Sequence, residues 1–416
     1  MARSTGPGEP GGAAARSHLW ARLDAAVREL GEPAPTPLLV VDLDAFDANA
    51  ADLERRAGGT PLRLASKSVR VPGLMTRALA RDGFRGVLAY TLAEALWLEE
   101  HEVTDDLLVA YPTVDRAALG ALVVSPRAAA RITLMVDDVA HLDVVDSVRS
   151  SRAVPVRVAI DVDAGLQAGG RHVGPKRSPL RDAEAVTALA REVVARPGFT
   201  LVGAMTYEGQ VAGVPDDVPS ARARSLVVRR LKDASLAQLA ERRRQVHAAL
   251  LDLVGPEGLE LWNAGGSGSV ETSAADPVVT EVAAGSGLLV PTLFDHYRSF
   301  APRPAAFFGL PVTRRPSADV ATVHGGGLVA SGAAGPDRLP TPWAPPGLRL
   351  TGLEGAGEVQ TPLVGPTAAM LSIGDLVWFR HAKAGELFEH GRSVRLLAGD
   401  RFVEEVETYR GLGLAF

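Results

Sequence analysis

Between residues 62 and 285 eight short apolar runs alternate with longer amphipathic stretches, and this alternation restricts the fold more than any other feature. The runs lie at 62–66, 87–90, 107–110, 132–136, 156–161, 201–206, 259–264 and 280–285. Helical patterns fill the gaps at 73–82, 92–100, 115–123, 138–149, 180–196 and 221–254, with a short one at 271–275. Eight strands with intervening helices over about 230 residues match a (β/α)8 barrel. A doubly wound open sheet competes, but it would carry a glycine-rich turn after its first strand. Here that turn is SKSVR, so the α/β class with a barrel is expected.

The flanks read differently. Residues 1–17 are rich in Gly, Pro and Ala, lack the apolar core of a secretory signal, and are expected to form a disordered tail. Residues 18–59 hold a helix, a strand-like segment at 36–46 and a second helix, and the strand is expected to pair with the C-terminal part. The barrel is expected over 60–290. Residues 291–416 become short in apolar stretches and rich in Gly and Pro, above all at 324–347, which predicts a β-rich C-terminal domain with one long loop. The formal charge of −5 and isoelectric point near 6.0 offer no basic surface for nucleic acid or anionic lipid. No apolar run approaches the ~18 residues of a membrane span, so the expected location is the cytoplasm. The absence of cysteine excludes disulfides, thiolate metal sites and a cysteine nucleophile.

In such barrels the chemistry sits just past the strand ends. Lys67 follows the first strand between Ser66 and Ser68. An exposed loop lysine is the ordinary alternative, but desolvation at a barrel mouth would free its amine to attack a carbonyl. After strand seven stands NAGGSGS, in which Gly265, Gly266, Ser267, Gly268 and Ser269 offer backbone N–H groups to an anion. Gly285 and Ser286 after strand eight extend that corner, the usual phosphate site of these barrels. A lysine on one side and a phosphate cup on the other point to a phosphorylated aldehyde held at both ends, pyridoxal 5′-phosphate.

These stretches, TPLLVVDLDAFDANAADL, LASKSVRVP, TYEGQ and NAGGSGS followed by TEVAAGS, make residues 36–416 resemble the alanine racemase-type (fold type III) pyridoxal-phosphate enzymes. The resemblance is to the branch of D-threonine aldolase and D-serine dehydratase, the amino acid deaminase/aldolases. It implies a lyase for D-β-hydroxy amino acids, with Lys67 as the Schiff-base residue and Tyr207 against the cofactor. The loop Gly265–Gly268 would take the phosphate, and Tyr207 as a merely packed aromatic is the alternative. In the loop 161–175, with Asp163, Gln167, Arg171 and His172, the resemblance implies an arginine near cofactor or substrate carboxylate. Arg171 is the natural candidate, with Gln167 beside it as a substrate contact; an ordinary solvated loop is the alternative. Relatives are head-to-tail homodimers, which implies one here, with a small amino acid as the only other partner.

One departure stands out. Members of this branch hold a divalent metal through a histidine and, two positions on, an aspartate or cysteine. Here His381 keeps its place but Lys383 takes the second, and an ammonium repels a metal instead of ligating it. Either Glu386, Glu389 or His390 supplies replacement ligands, or Lys383 itself polarises the substrate hydroxyl and leaves His381 as acid or base. Two other functions stay open on the same scaffold: an amino acid racemase and a non-catalytic carrier of pyridoxal phosphate.

Overall fold

The structure is a computed structural model that describes residues 11–31, 35–300 and 303–416. It divides into two compact units, one made of residues 52–67, 75–285 and 416, the other of the described residues of 1–51 with 68–74 and 286–415.

The first unit is a closed barrel of eight parallel strands. In chain order they are Leu62–Ala65, Phe84–Ala89, Leu107–Val109, Ile132–Val136, Val156–Asp161, Phe199–Thr206, Leu261–Ala264 and Glu281–Ala284. Each pairs with its successor, and Val282 opposite Leu62 closes the ring. All eight expected strands are present. The strands are buried on both faces, as a sheet covered by helices requires, so their sequences run apolar without alternation. Polar residues start the helices that follow the strands: Thr91, Asp115, Asp138 and Asp182 each accept a backbone N–H from the first turn. Leu108, Met135, Ala159, Met205 and Leu261 fill the interior.

A charged girdle lies at the opposite end of the strands from their C-termini. Arg63, 2% exposed, gives Nε and Nη2 to Glu281 at 2.6 and 2.7 Å and both Nη atoms to Asp106 at 2.9 Å. Asn263 Nδ2 donates to the same glutamate at 2.8 Å. Gly86, at φ +65°, is required beside it, because a Cβ there would lie 2.6 Å from the Arg63 guanidinium.

Two local elements depart from the sequence expectation. Pro126–Arg131 forms an extra helix turn, with Ser125 capping Ala128 N and proline in the first turn. The loop 161–175 is not irregular: Leu166–Ala168 and Arg171–Val173 form a hairpin whose tip, Gly169 and Gly170, has φ of +54° and +75°. Two positive φ values at a two-residue turn need glycine, and Gly-Gly supplies them.

The second unit is a nine-stranded sheet. Leu38–Asp42 lies within it, antiparallel to Ala306–Ser317 and parallel to Ser393–Ala398. The long loop 324–347 ends in the strand Thr341–Ala344, which pairs with Leu376–Arg380. The expected disordered tail is corrected in part: Ala13–Glu29 is a helix, so 13–17 are ordered, while residues 1–10 of that segment lie outside the described residues. Alanines extend the helix backward from Leu19, Leu23 and Ala26, which are buried, and Arg16 Nε fixes the first turn by donating to Trp343 O at 2.6 Å.

Candidate active site

At the C-terminal end of the first barrel strand, Lys67 occupies a single 3₁₀ turn, Ser66–Ser68. Ser66 Oγ donates to Leu88 O at 3.1 Å, which ties that turn to the neighbouring strand. Lys67 is exposed, where the sequence led us to expect desolvation, and its Nζ donates to the Tyr111 hydroxyl at 2.6 Å. Tyr111 follows the third barrel strand. The Arg177 guanidinium lies 5.5 Å from the Tyr111 ring and 5.2 Å from the Tyr207 ring. Among the described residues it makes no hydrogen bond, so its five N–H donors remain available. Lys67, Tyr111, Arg177 and Tyr207 thus gather residues from four barrel segments. Burial raises the Tyr207 phenol above its ordinary pKa, against the pull of Arg177.

Asp161 ends the fifth strand beneath this group. It is buried, and burial first and Asp137 second push its carboxyl up to about 7, with Arg177 opposing. The unfolded chain would titrate there near 3.9, so between about pH 4 and pH 7 the folded protein binds more protons than the unfolded one. This group therefore costs stability as pH rises through that window. Asp161→Asn is expected to melt a few degrees above wild type at pH 8, with the gap closing below about pH 4; about 4 kcal/mol is the ceiling and about 1–2 kcal/mol the expected gain. Thermal melts of the two proteins across pH check this, and parallel curves would refute it.

The glycine corner is held from behind. Glu208, fully buried, accepts Gly265 N at 3.2 Å, Ser269 Oγ at 3.1 Å and the Ser273 hydroxyl, while Arg243 Nη2 donates to it at 3.1 Å. Arg243 also reaches Thr206 Oγ1 at 2.9 Å and Asp276 at 3.2 Å. The corner's amides are therefore divided. Gly265 N–H serves Glu208, Gly266 N–H serves Ser269 Oγ, and Gly285 N–H serves Ser267 Oγ. The buried Gly268 N–H has no partner among the described residues. Gly265 stands at φ +81°, and a Cβ on Gly266 would lie 2.9 Å from Ala212 Cβ. Ser286 Oγ shares a 3.0 Å hydrogen bond with Ser68 Oγ.

The other sequence candidates lie on the hairpin and in the second unit. Gln167 and Arg171 are exposed on the hairpin, where Gln167 N donates to Gln238 Oε1 at 2.7 Å. His172 Nε2 bonds Asp163 Oδ2 at 2.9 Å, and Arg181 Nε donates to the same oxygen at 3.1 Å, so this pair staples the hairpin base. The arginine beside the tyrosines is Arg177. Within the second unit, His381 is 3% exposed, and burial first, then Arg380, push it down to about 3, with the Ala306 backbone opposing. Its ring is neutral at ordinary pH. Lys383 Nζ donates to Ser331 Oγ at 2.6 Å and lies 3.5 Å from Glu386 Oε1. Glu389 pairs with Arg70 at 2.7 Å and Arg410 at 2.6 Å, and His390 is exposed. Among the described residues no three His, Asp or Glu are grouped to hold a metal, and no helix is long and apolar enough to cross a membrane.

Among curated proteins the chain is 28% identical over 255 residues to a D-threonine aldolase of an Arthrobacter species, an alignment covering 60% of each. It therefore spans about 60% of the length of the curated relatives it matches. Among solved structures, the D-threonine aldolase from Filomicrobium marinum superposes with a TM-score of 0.75 at 22% identity, covering 92% of this chain and 96% of that one. The D-threo-3-hydroxyaspartate dehydratase from Delftia sp. HT23 does so with a TM-score of 0.69 at 21% identity, covering 90% and 97%. The sequence profile of the alanine racemase N-terminal domain matches residues 41–288, well over half of the chain, and the protein belongs to that family.

Proposed function

We propose that the protein is a pyridoxal-phosphate-dependent lyase acting on D-β-hydroxy amino acids, of the aldolase or the dehydratase/deaminase type. The observation that carries this reading is the exposed Lys67 amine at a strand end, within hydrogen-bond reach of Tyr111 and in the same mouth as a glycine corner held by a buried carboxylate. The residues fit the cofactor. Lys67 offers a primary amine to an aldehyde, the Gly268 amide and the Ser267 hydroxyl suit a phosphate, and the bare Gly266 leaves room beside Tyr207 that a Cβ would narrow. When bound, pyridoxal phosphate supplies an electron sink for the pair released at Cα.

The chain's own groups do the rest. Lys67 holds the cofactor and moves the proton at Cα. Tyr111 orients the Lys67 amine through the 2.6 Å hydrogen bond. Arg177 presents a planar fork to a carboxylate or a phenolic oxygen, as only an arginine with free donors can. Arg171 and Gln167 remain proposed substrate contacts on the hairpin, and Gly285 and Ser286 proposed members of the phosphate corner. His381 and Lys383 are proposed to handle the β-oxygen. Removal of the hydroxyl proton breaks Cα–Cβ and releases an aldehyde, whereas protonation of that oxygen expels water and leads on to ammonia and a keto acid. We further propose a homodimer placed in the cytoplasm.

Borohydride reduction followed by peptide mapping, then a screen of D- and L-3-hydroxy amino acids for aldehyde and ammonia, tests the proposal. A reduced adduct on Lys67 with D-selective product release is expected. Loss of optical rotation without either product would turn the reading into a racemase. A cofactor spectrum that no amino acid perturbs would turn it into a carrier.

A further inference from the structure

We infer that this chain works without the divalent metal implied by its resemblance, and that the Lys383 ammonium, held by Ser331 and Glu386, carries the positive charge at that position. The inference rests on the lyase reading above. Its starting point is local chemistry: the residue two positions after His381 has no lone pair to give a metal while it is charged.

The surroundings commit both carboxylates that could replace the missing ligand. Lys383 Nζ donates to Ser331 Oγ at 2.6 Å, and Glu386 Oε1 lies 3.5 Å from Nζ. Glu386 in turn accepts Ser331 N at 2.8 Å and the Ser331 hydroxyl. The three residues form a closed triangle that ties the glycine-rich loop to the turn after Leu376–Arg380. A half-exposed ion pair of this kind adds at most about 1 kcal/mol of stability. What the triangle fixes is where the ammonium stands. Glu386, the nearest carboxylate, is committed to that triangle, and Glu389 is committed to Arg70 and Arg410. Among the described residues, a cation approaching His381 would find one imidazole, a carboxylate already engaged by Ser331 and a held positive charge. The His381 backbone is itself pinned, its carbonyl accepting Thr292 N at 3.1 Å, so the ring is presented by a fixed segment.

The test uses the holoprotein purified without added metal. Elemental analysis is expected to find no stoichiometric divalent metal, and dialysis against a chelator is expected to leave product formation unchanged. Calorimetric titration with Mn²⁺ alone is expected to show no binding to wild type but stoichiometric binding to Lys383→Asp, which restores a carboxylate beside His381. Stoichiometric metal in wild type, or a chelator-induced loss of tenfold or more that Zn²⁺ or Mn²⁺ restores, would overturn the inference. Failure of Lys383→Asp to bind Mn²⁺ would also overturn it, by showing that position 383 is not the place where charge is exchanged. The titration needs no substrate, so inactivity toward every D-β-hydroxy amino acid would sink the lyase reading while the metal result stood apart.

Discussion

Lys67→Ala is expected to lower turnover of any amino acid substrate by at least about 10³-fold, equivalent to about 4 kcal/mol of transition-state stabilisation. It is also expected to abolish the borohydride-reducible link to the cofactor. The fold should survive: Lys67 is exposed, and exposed substitutions usually change stability by less than about 0.5 kcal/mol. Melting temperature therefore separates lost chemistry from lost structure. Lys67→Arg sharpens the experiment, because a guanidinium keeps the positive charge and a donor for Tyr111 but does not form the imine. An arginine variant with full colour and full turnover would reduce Lys67 to an electrostatic neighbour. Partial rescue of the alanine variant by an added primary amine is the expected positive control.

Why is the place of Lys67 at a strand end legible when the place of Arg177 beside two tyrosines is not? The strand before Lys67 is a short run, apolar but for Arg63, that ends at Ser66, so its exit toward the barrel mouth follows from its place in the alternation and from fold class. Arg177 stands in PKRSP, beyond what looked like the end of the loop, and its approach to Tyr111 and Tyr207 depends on the intervening hairpin folding back. The Gly169–Gly170 pair was the available signal, since two glycines between short β-branched or polar runs mark a tight turn. Without that turn the loop's first arginine, Arg171, looked nearest to the strand. The eight strands were readable because a parallel barrel buries both faces of each, which writes them as apolar runs. The order at 13–17 was masked by flanking Gly and Pro, although its alanines continue the spacing of Leu19 and Leu23. Glu208 left the faintest trace of all: nothing in TYEGQ says that a glutamate will be sealed from water against an arginine of a 33-residue helix.

That glutamate is where fold and site are the same object. Glu208→Ala is expected to destabilise the protein by about 3–5 kcal/mol, because it strands a buried guanidinium and unpairs the donors of the glycine corner at once. Arg243 is 2% exposed and, among the described residues, would keep only Asp276 as a charged partner. Two readouts divide the loss. Stability, followed by denaturant unfolding, reports the ion pair; cofactor affinity, measured at a temperature where the variant is folded, reports the corner. A loss of at least tenfold in affinity is expected, since the Gly265 amide and the Ser269 and Ser273 hydroxyls lose their common acceptor. Glu208→Gln, which retains a carbonyl and the side-chain shape, should lie between wild type and alanine in both. The pairing itself is tested by adding Arg243→Ala to Glu208→Ala: the double variant should lose clearly less than the sum of the singles, because the second substitution removes the charge that the first left unpaired. Strict additivity would mean that the two groups stabilise the protein independently, and the corner would then owe its shape to the Gly265 and Gly266 backbone instead of to the carboxylate behind it.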